Sequence, residues 1–198
     1  MMLACALIGM GLSACGDTLI DASTPEAAAH NRWQLTDVEG NVHEPFADEN
    51  TPAFVMIFIS VDCPIANSYH PQLQRLARQH ASNNIPVFFV HPNRNVTIEQ
   101  ARTHAGNYNI RNPVIVDRHL TITRRVDARV MPEAFVFVRD RRQPVYRGRI
   151  DNRYAGYGKK RAVATTHELA SALDAVAAGR LPSTPRTKAI GCFISTAD

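Results

Sequence analysis

The chain has 198 residues, of which 45% are hydrophobic and 20% are charged, and its formal net charge is +4. This length and composition favour one globular domain with a sizeable core and exclude a collagen, a coiled coil and a wholly disordered chain. No apolar run is long enough for a protein that spans the membrane several times. The four cysteines, Cys5, Cys15, Cys63 and Cys192, are too few for a disulfide scaffold.

The N-terminal segment has the features of an export signal. Residues 1–14 carry no charge and are too short to span a bilayer. The sequence LSACG around Cys15 resembles a bacterial lipoprotein signal, in which the cysteine is lipidated and becomes the new N-terminus. The resemblance implies a membrane anchor at Cys15, a polar tether over residues 15–31, and a domain in the cell envelope that faces the periplasm or the exterior. An ordinary signal peptide and a buried apolar N-terminus are the alternatives.

Strands and helices alternate along the rest of the chain. Short apolar runs bounded by turn residues predict strands at 53–60, 86–90, 113–116, 134–138 and 144–150. Helical spacing and capping residues predict helices at 65–80, 97–107 and 165–179, and a short one after Asp117. This order predicts an α/β domain with a central mixed β-sheet flanked by helices. The domain is expected to cover residues 32–180, followed by a tail at 181–198.

Cys63 lies between the first of these strands and the helix that follows it. A helix N-terminus supplies backbone N–H groups that stabilise a thiolate, and the thiolate is the reactive form of cysteine. Pro64 suits the first helical position, whereas Pro71 is expected to kink the helix. An X-Pro bond at Met131-Pro132 is able to adopt the cis form and to place backbone against the cysteine.

These residues in this order resemble the thioredoxin-like superfamily, and the extra strand and helix within residues 81–130 resemble its redoxin branch. That branch comprises the alkyl hydroperoxide reductase and thiol-specific antioxidant relatives and the membrane-anchored periplasmic thioredoxins. The resemblance implies a thioredoxin-like fold and redox chemistry at Cys63, with Pro132 as the cis-proline that shapes the site.

Two departures from the family pattern bear on the chemistry. Ala66 stands where a dithiol oxidoreductase has its second cysteine, so exchange between two adjacent thiols is impossible. A redoxin-type peroxidase has a Ser or Thr three residues before its cysteine, and Ser60 fits that position. However, Met56 stands where such an enzyme has proline, and Arg129 is the nearest substitute for its transition-state arginine.

Cys192 is the remaining candidate for a second redox cysteine. It lies on a Gly- and Pro-containing tail that could fold back over the active-site face. One hypothesis is that it resolves an oxidised or disulfide-linked Cys63; the alternative is a spare thiol in a mobile tail.

Metal and nucleic-acid sites are weakly indicated. His70 and His91 could pair with the Cys63 thiolate around copper or zinc, but Asn67 stands where thioredoxin-like copper chaperones carry a second cysteine. The basic segment 139–161 is expected to be a solvated face or a docking patch for an acidic partner. We therefore expect no metal, no cofactor and no nucleic-acid partner.

The sequence thus predicts a lipid-anchored envelope thiol–disulfide oxidoreductase in which Cys63 is the nucleophile, Cys192 is the candidate resolving cysteine, Ser60 hydrogen-bonds the thiolate and Pro132 shapes the site. The expected substrate is a disulfide-containing protein, a small thiol or a peroxide. A thiol peroxidase on the same fold is the first alternative, and a module that binds copper or an organic cofactor is the second.

Overall fold

The computed structural model describes residues 32–195. The predicted signal at 1–14, the lipidation site Cys15 and the tether to residue 31 lie outside the described residues. Within the described residues, no helix is long and apolar enough to cross a membrane.

The helices and strands follow the predicted alternation. The helices are α1 (Pro64–Asn67), α2 (His70–His80), α3 (Ile98–Asn107), α4 (Thr121–Val126) and α5 (Glu168–Ala177), with one 3-10 turn at Ala81–Asn83. The strands up to the middle of the chain are β1 (Leu35–Thr36), β2 (Val42–His43), β3 (Ala53–Phe58), β4 (Val87–His91) and β5 (Val114–Val116). The later strands are β6 (Val130–Met131), β7 (Glu133–Val138), β8 (Tyr146–Gly148), β9 (Tyr154–Gly156), β10 (Lys159–Lys160) and β11 (Cys192–Phe193).

A mixed five-stranded sheet in the order β5-β4-β3-β7-β8 forms the centre of the domain. The central strand β3 runs parallel to β4 and antiparallel to β7, and all six of its residues are buried. The register pairs Phe58, the last residue of β3, with Glu133, the first residue of β7. The loop that leads to Cys63 and the loop that contains Pro132 therefore leave the sheet at the same edge.

Each face of the sheet has its own apolar cluster, because successive side chains of a buried strand point to opposite faces. Val55 and Ile57 face a cluster that includes residues of α2, α3 and α5. Phe54 and Phe58 face a second cluster that includes Trp33 and residues of α4. Helices thus cover both faces, which confirms the predicted α/β architecture.

The predicted helix at 65–80 is broken into α1 and α2. Proline has no N–H, so Pro71 is unable to donate the intrahelical hydrogen bond that a continuous helix requires there. The chain instead ends α1 at Asn67 and restarts at His70, which places Pro71 in the first turn of α2. The prediction of one kinked helix was wrong. Because the first turn of a helix does not need the N–H that proline lacks, a new helix start accommodates Pro71 without distorting a helix interior.

The two predicted capping boxes have different outcomes. Thr97 and Gln100 form the box that begins α3, with each side chain accepting a hydrogen bond from the other residue's backbone N–H. The box predicted at Thr165 and Glu168 is not formed. Helix α5 begins after His167, and the Glu168 carboxylate accepts hydrogen bonds from Arg149 instead.

The tail lies along the domain and ends beside the cis-proline loop. Thr187 donates its backbone N–H to the carbonyl oxygen of Arg147 at 3.0 Å, which attaches the tail to β8. Further on, β11 pairs antiparallel with β6, and the Ile194 N–H donates to the carbonyl oxygen of Arg129 at 2.9 Å. The tail is therefore part of the folded domain rather than an appendage.

Candidate active site

Cys63 is the N-cap of α1, at the end of the loop that leaves β3. Its backbone is extended, and Pro64 takes the first helical position as predicted. The Ala66 N–H donates a hydrogen bond to Cys63 Sγ at 3.4 Å. Because α1 has only four residues, this local N–H, rather than the dipole of a long helix, is the donor that would stabilise a Cys63 thiolate.

The Met131–Pro132 peptide bond is cis and lies against Cys63. The Met131 carbonyl oxygen is 3.2 Å from Cys63 Sγ. A protonated Cys63 could donate to this oxygen, whereas a thiolate could not. Either form of the sulfur could accept a hydrogen bond from the Ala66 N–H.

A disulfide joins Cys63 to Cys192, with the two Cα atoms 6.1 Å apart. That Cα separation is within the range of ordinary disulfides. The pairing of β11 with β6 places Cys192 opposite Met131, the residue whose carbonyl contacts Cys63. The fold thus brings together three elements that are distant in sequence: the N-cap of α1, the cis-proline loop and the tail.

The two sulfurs of this disulfide differ in their surroundings. Cys63 is 1% exposed, whereas Cys192 is partly exposed. Within residues 32–195, no hydrogen bond is formed to the sulfur of Cys192. The disulfide lines a pocket of about 370 Å³. Polar side chains, among them Ser60, Asp62 and Arg94, line the same pocket.

The residues that suggested a peroxidase are not assembled around Cys63. Ser60 lies in the same pocket, but its Oγ accepts a hydrogen bond from the Asp62 N–H at 3.3 Å, and within the described residues no hydrogen bond joins it to Cys63. Arg129 forms an ion pair with Asp127. Met56 is fully buried in β3, where it packs in the second apolar cluster.

Two tyrosines support the active-site helices from behind. Tyr69, between α1 and α2, donates its hydroxyl to the buried carboxylate of Asp151 at 2.6 Å. Burial and this hydrogen bond both raise the pKa of Tyr69 well above its ordinary value. The hydroxyl of Tyr154 is 3.0 Å from Ser68 Oγ. Neither tyrosine was identified from the sequence as part of the site.

Three histidines form a buried cluster under α1. The ring centres of His70 and His91 lie 5.2 and 5.1 Å from that of His104. Burial, and to a smaller extent the neighbouring imidazole of His104, lowers the pKa of His70 to about 4 and that of His91 to about 3. His104 donates to Asn67 Oδ1 at 2.9 Å, and Asn67 Nδ2 donates to the Val61 carbonyl at 3.0 Å. The cluster is thereby linked to the loop that carries Cys63.

Within residues 32–195, the three histidines and Cys63 are not part of a group of three or more potential metal ligands. His91 ends β4 as predicted, but it is fully buried among the other rings rather than at the surface of the site. Among residues 32–195, no group of three or more His, Cys, Asp or Glu side chains is arranged to hold a metal ion.

Several solved structures are similar to this chain. A hypothetical protein from Sinorhizobium meliloti is 26% identical, with a TM-score of 0.71, and the match covers 84% of this chain and 92% of that one. An uncharacterized conserved protein from Geobacillus kaustophilus is 24% identical, with a TM-score of 0.72 and coverages of 84% and 90%.

A thiol-disulfide oxidoreductase from Bacteroides fragilis shares the fold at 12% identity, with a TM-score of 0.51, over 59% of this chain and 86% of that one.

No curated protein matches the sequence. The model of the Redoxin family matches residues 20–153, which include Cys63 and Pro132. The chain therefore belongs to the Redoxin family.

Proposed function

We propose that the protein is a thiol–disulfide oxidoreductase whose redox centre is the Cys63–Cys192 pair. In the reduced protein the Cys63 thiolate attacks a substrate disulfide, which forms a mixed disulfide and releases one substrate thiol. The Cys192 thiolate then attacks Cys63 Sγ, which releases the second substrate thiol and leaves the Cys63–Cys192 disulfide. The substrate gains two electrons and the protein is oxidised by two.

The observation that carries this proposal is the disulfide itself. Ala66 removes the Cys-x-x-Cys dithiol, and the tail supplies a second sulfur to Cys63 from 129 residues away. The pairing of β11 with β6 supports a redox role over a spare thiol, since it places Cys192 beside the cis-proline loop. In this scheme Ala66 stabilises the thiolate and Pro132 shapes the site, while Ser60 contributes a polar wall to the pocket.

The Bacteroides fragilis protein that shares this fold is a thiol-disulfide oxidoreductase, and its chemistry agrees with the proposal. We propose further that the protein works in the cell envelope, anchored through lipid on Cys15. The Cys63–Cys192 disulfide suits an oxidising compartment. Release of the protein from the membrane fraction by Cys15→Ser, with Cys5→Ser as the matched control, would support the anchor. Unchanged membrane association in Cys15→Ser would rule it out.

The test of the redox centre is turnover of a disulfide-containing peptide by the reduced full-length protein. Cys63→Ser is expected to abolish the reaction, and Cys192→Ser is expected to stop it at a mixed disulfide on Cys63. Cys5→Ser serves as the control and is expected to react like the unaltered chain. Peptide mapping without reductant must also recover a Cys63–Cys192 linked peptide after oxidation; its absence would refute the proposal.

The rate at which Cys63 reacts with hydrogen peroxide distinguishes a thiol peroxidase from the proposed oxidoreductase. Stopped-flow reaction of Cys63 with hydrogen peroxide is expected to be no faster than that of free cysteine, because Ser60 and Arg129 are both engaged with other residues. A much faster reaction that Cys63→Ser abolishes would assign peroxidase activity instead.

A further inference from the structure

We infer that the disulfide has a fixed polarity: a reducing thiolate attacks Cys192, and Cys63 is the sulfur that leaves. This inference rests on the proposed function, since it concerns the step in which an electron donor reduces the Cys63–Cys192 disulfide. It assigns the first contact with the electron donor to the tail cysteine rather than to the cysteine at the helix N-terminus.

Access to the sulfurs is the first argument. Thiol–disulfide exchange requires the attacking sulfur to reach one sulfur of the disulfide, so its rate at each position depends on exposure. Cys63 is 1% exposed and is enclosed by the loop from β3, by α1 and by the cis-proline loop. Both cysteines line the pocket of about 370 Å³, but Cys192 is partly exposed as a residue and Cys63 is not. We therefore expect a thiolate that enters this pocket to reach Cys192 more readily than Cys63.

Charge and hydrogen bonding around the two sulfurs give the same direction. The Met131 carbonyl oxygen, 3.2 Å from Cys63 Sγ, repels an anion that approaches this sulfur. The sulfur that leaves must carry the negative charge, and Cys63 receives the Ala66 N–H at 3.4 Å. Within the described residues Cys192 has no such donor. A stabilised thiolate is the better leaving group, so departure of Cys63 is the faster of the two reactions.

The strand pairing of the tail constrains how the reductant binds. Met131 is already paired with Cys192, and Val130 with Phe193. A protein donor is therefore unable to pair with this edge of β6 while β11 is docked there. Among the described residues, the polar pocket also reaches the disulfide, and its lining includes Ser60, Asp62 and Arg94. We expect the donor to reach Cys192 through this pocket, as a thiolate presented at its opening.

The reaction balances in two exchanges. In the first, the sulfur of RS⁻ bonds to Cys192 Sγ while the disulfide bond breaks, and the electron pair of that bond leaves on Cys63, which later takes a proton from solvent. In the second, another thiolate attacks the R sulfur, which releases RSSR and the Cys192 thiolate. The donor is oxidised by two electrons and the protein is reduced by two.

The test locates the first mixed disulfide. The full-length chain with Cys5→Ser and Cys15→Ser is oxidised and mixed with 2-mercaptoethanol. The reaction is then quenched at early times with N-ethylmaleimide and digested with trypsin. The two cysteines fall on separate peptides, because cleavage occurs after Lys188 and after Arg75. Mass spectrometry then reports which cysteine carries mercaptoethanol and which carries maleimide, extrapolated to zero time to exclude later migration.

We expect the mercaptoethanol adduct on Cys192 in at least about 10-fold excess over Cys63. The same experiment in guanidinium chloride is the control, and there the two adducts should form in similar amounts, because unfolding removes the difference in exposure. An adduct mainly on Cys63 in the folded protein, or equal adducts in both conditions, would overturn the inference and leave the proposed function intact. If no Cys63–Cys192 linked peptide is found before mixing, the proposed function itself fails.

Discussion

Gly191 lies directly against the carbonyl group of Met131, so that a β-carbon at position 191 would stand 2.0 Å from the Met131 oxygen and 3.0 Å from the Pro132 nitrogen. No flexible side chain can yield there, since all of the atoms in the way are backbone. The approach of the tail to the cis-proline loop, and with it the position of Cys192, requires glycine at 191.

Gly191→Ala is therefore expected to displace β11 from β6. The overlap should cost about 1–3 kcal/mol, which would slow formation of the Cys63–Cys192 disulfide by about 5- to 150-fold. Oxidation of the reduced protein by glutathione disulfide, followed by mass spectrometry, measures this rate. Gly106→Ala is the matched control, because Gly106 is exposed in α3 and its added β-carbon would meet no neighbour within 4 Å. Equal rates for the two variants would contradict the role given to Gly191.

The disulfide should also contribute strongly to stability, because it closes a loop across 129 residues of the chain. In the chain-entropy description, closing a loop of this size in the unfolded state stabilises the fold by about 3–5 kcal/mol. The free energy of unfolding of oxidised protein, measured with denaturant, should exceed that of reduced protein by this amount. Cys63→Ser and Cys192→Ser should each be insensitive to reductant. A reductant effect that survives in either variant would mean that the stabilising disulfide is another one.

Tyr69→Phe should destabilise the protein more than Tyr154→Phe, although both substitutions remove one hydroxyl. Tyr69 donates to the carboxylate of Asp151, whose side chain is 0% exposed, so that its loss leaves a buried acceptor with one partner fewer. We expect a loss of about 1–3 kcal/mol for Tyr69→Phe. Tyr154, which contacts Ser68, is half-buried, and the loss there should be about 1 kcal/mol or less. Equal losses would show that the hydrogen bond from Tyr69 to Asp151 contributes no more to stability than the contact of Tyr154 with Ser68.

Stability should fall on acidification because the histidine cluster is buried in its neutral form. The pKa is about 3 for His91 and about 4 for His70 in the folded protein, against 6.5 for an unperturbed histidine. Below pH 6.5 the unfolded chain binds protons that the folded protein does not, so the stability present above that pH is lost progressively down to the folded-state pKa values. The loss should be on the order of 2 kcal/mol per histidine between pH 6.5 and 5.

Denaturant unfolding at several pH values measures this dependence. His91→Phe should flatten the acid limb of the curve, since phenylalanine has no proton to gain, whatever its effect on stability at neutral pH. His119→Gln, an exposed position, should leave the shape of the curve unchanged. An acid limb that is the same in His91→Phe as in the unaltered chain would assign it to other groups.

The fold was largely accessible from sequence because its main signals are local. The apolar run of β3, the position of Cys63 after it and the capping box at Thr97 all depend on residues within a short window. The break between α1 and α2 was missed because Pro71 allows either a kink or a new helix start, and only tertiary packing selects between them. The failed capping box at Glu168 has a similar cause, since that carboxylate accepts a hydrogen bond from Arg149, which is 19 residues away in sequence.

The sequence singled out three residues that the structure brings together, but not the residues that support them. Cys63, Pro132 and Cys192 are distinctive in sequence, whereas the hydrogen bond from Tyr69 to Asp151 spans 82 residues and has no local signature. Strand β11 has only two residues, too few for any periodic pattern to appear. Its direction and register come from the edge of β6, which sequence periodicity does not describe.

The two-residue pairing of β11 with β6 affects both the rate at which Cys63 captures a substrate and the rate at which that substrate is released. While the tail is docked, the Cys192 thiol faces Cys63 at a far higher effective concentration than any free thiol, so a captured substrate is released quickly. With the tail docked Cys63 is 1% exposed, so we expect reduced molecules to capture substrate mainly while the tail is undocked, which lowers the apparent capture rate by the undocked fraction. By the same reasoning, we expect a longer strand at this position to speed the release of substrate and to slow its capture.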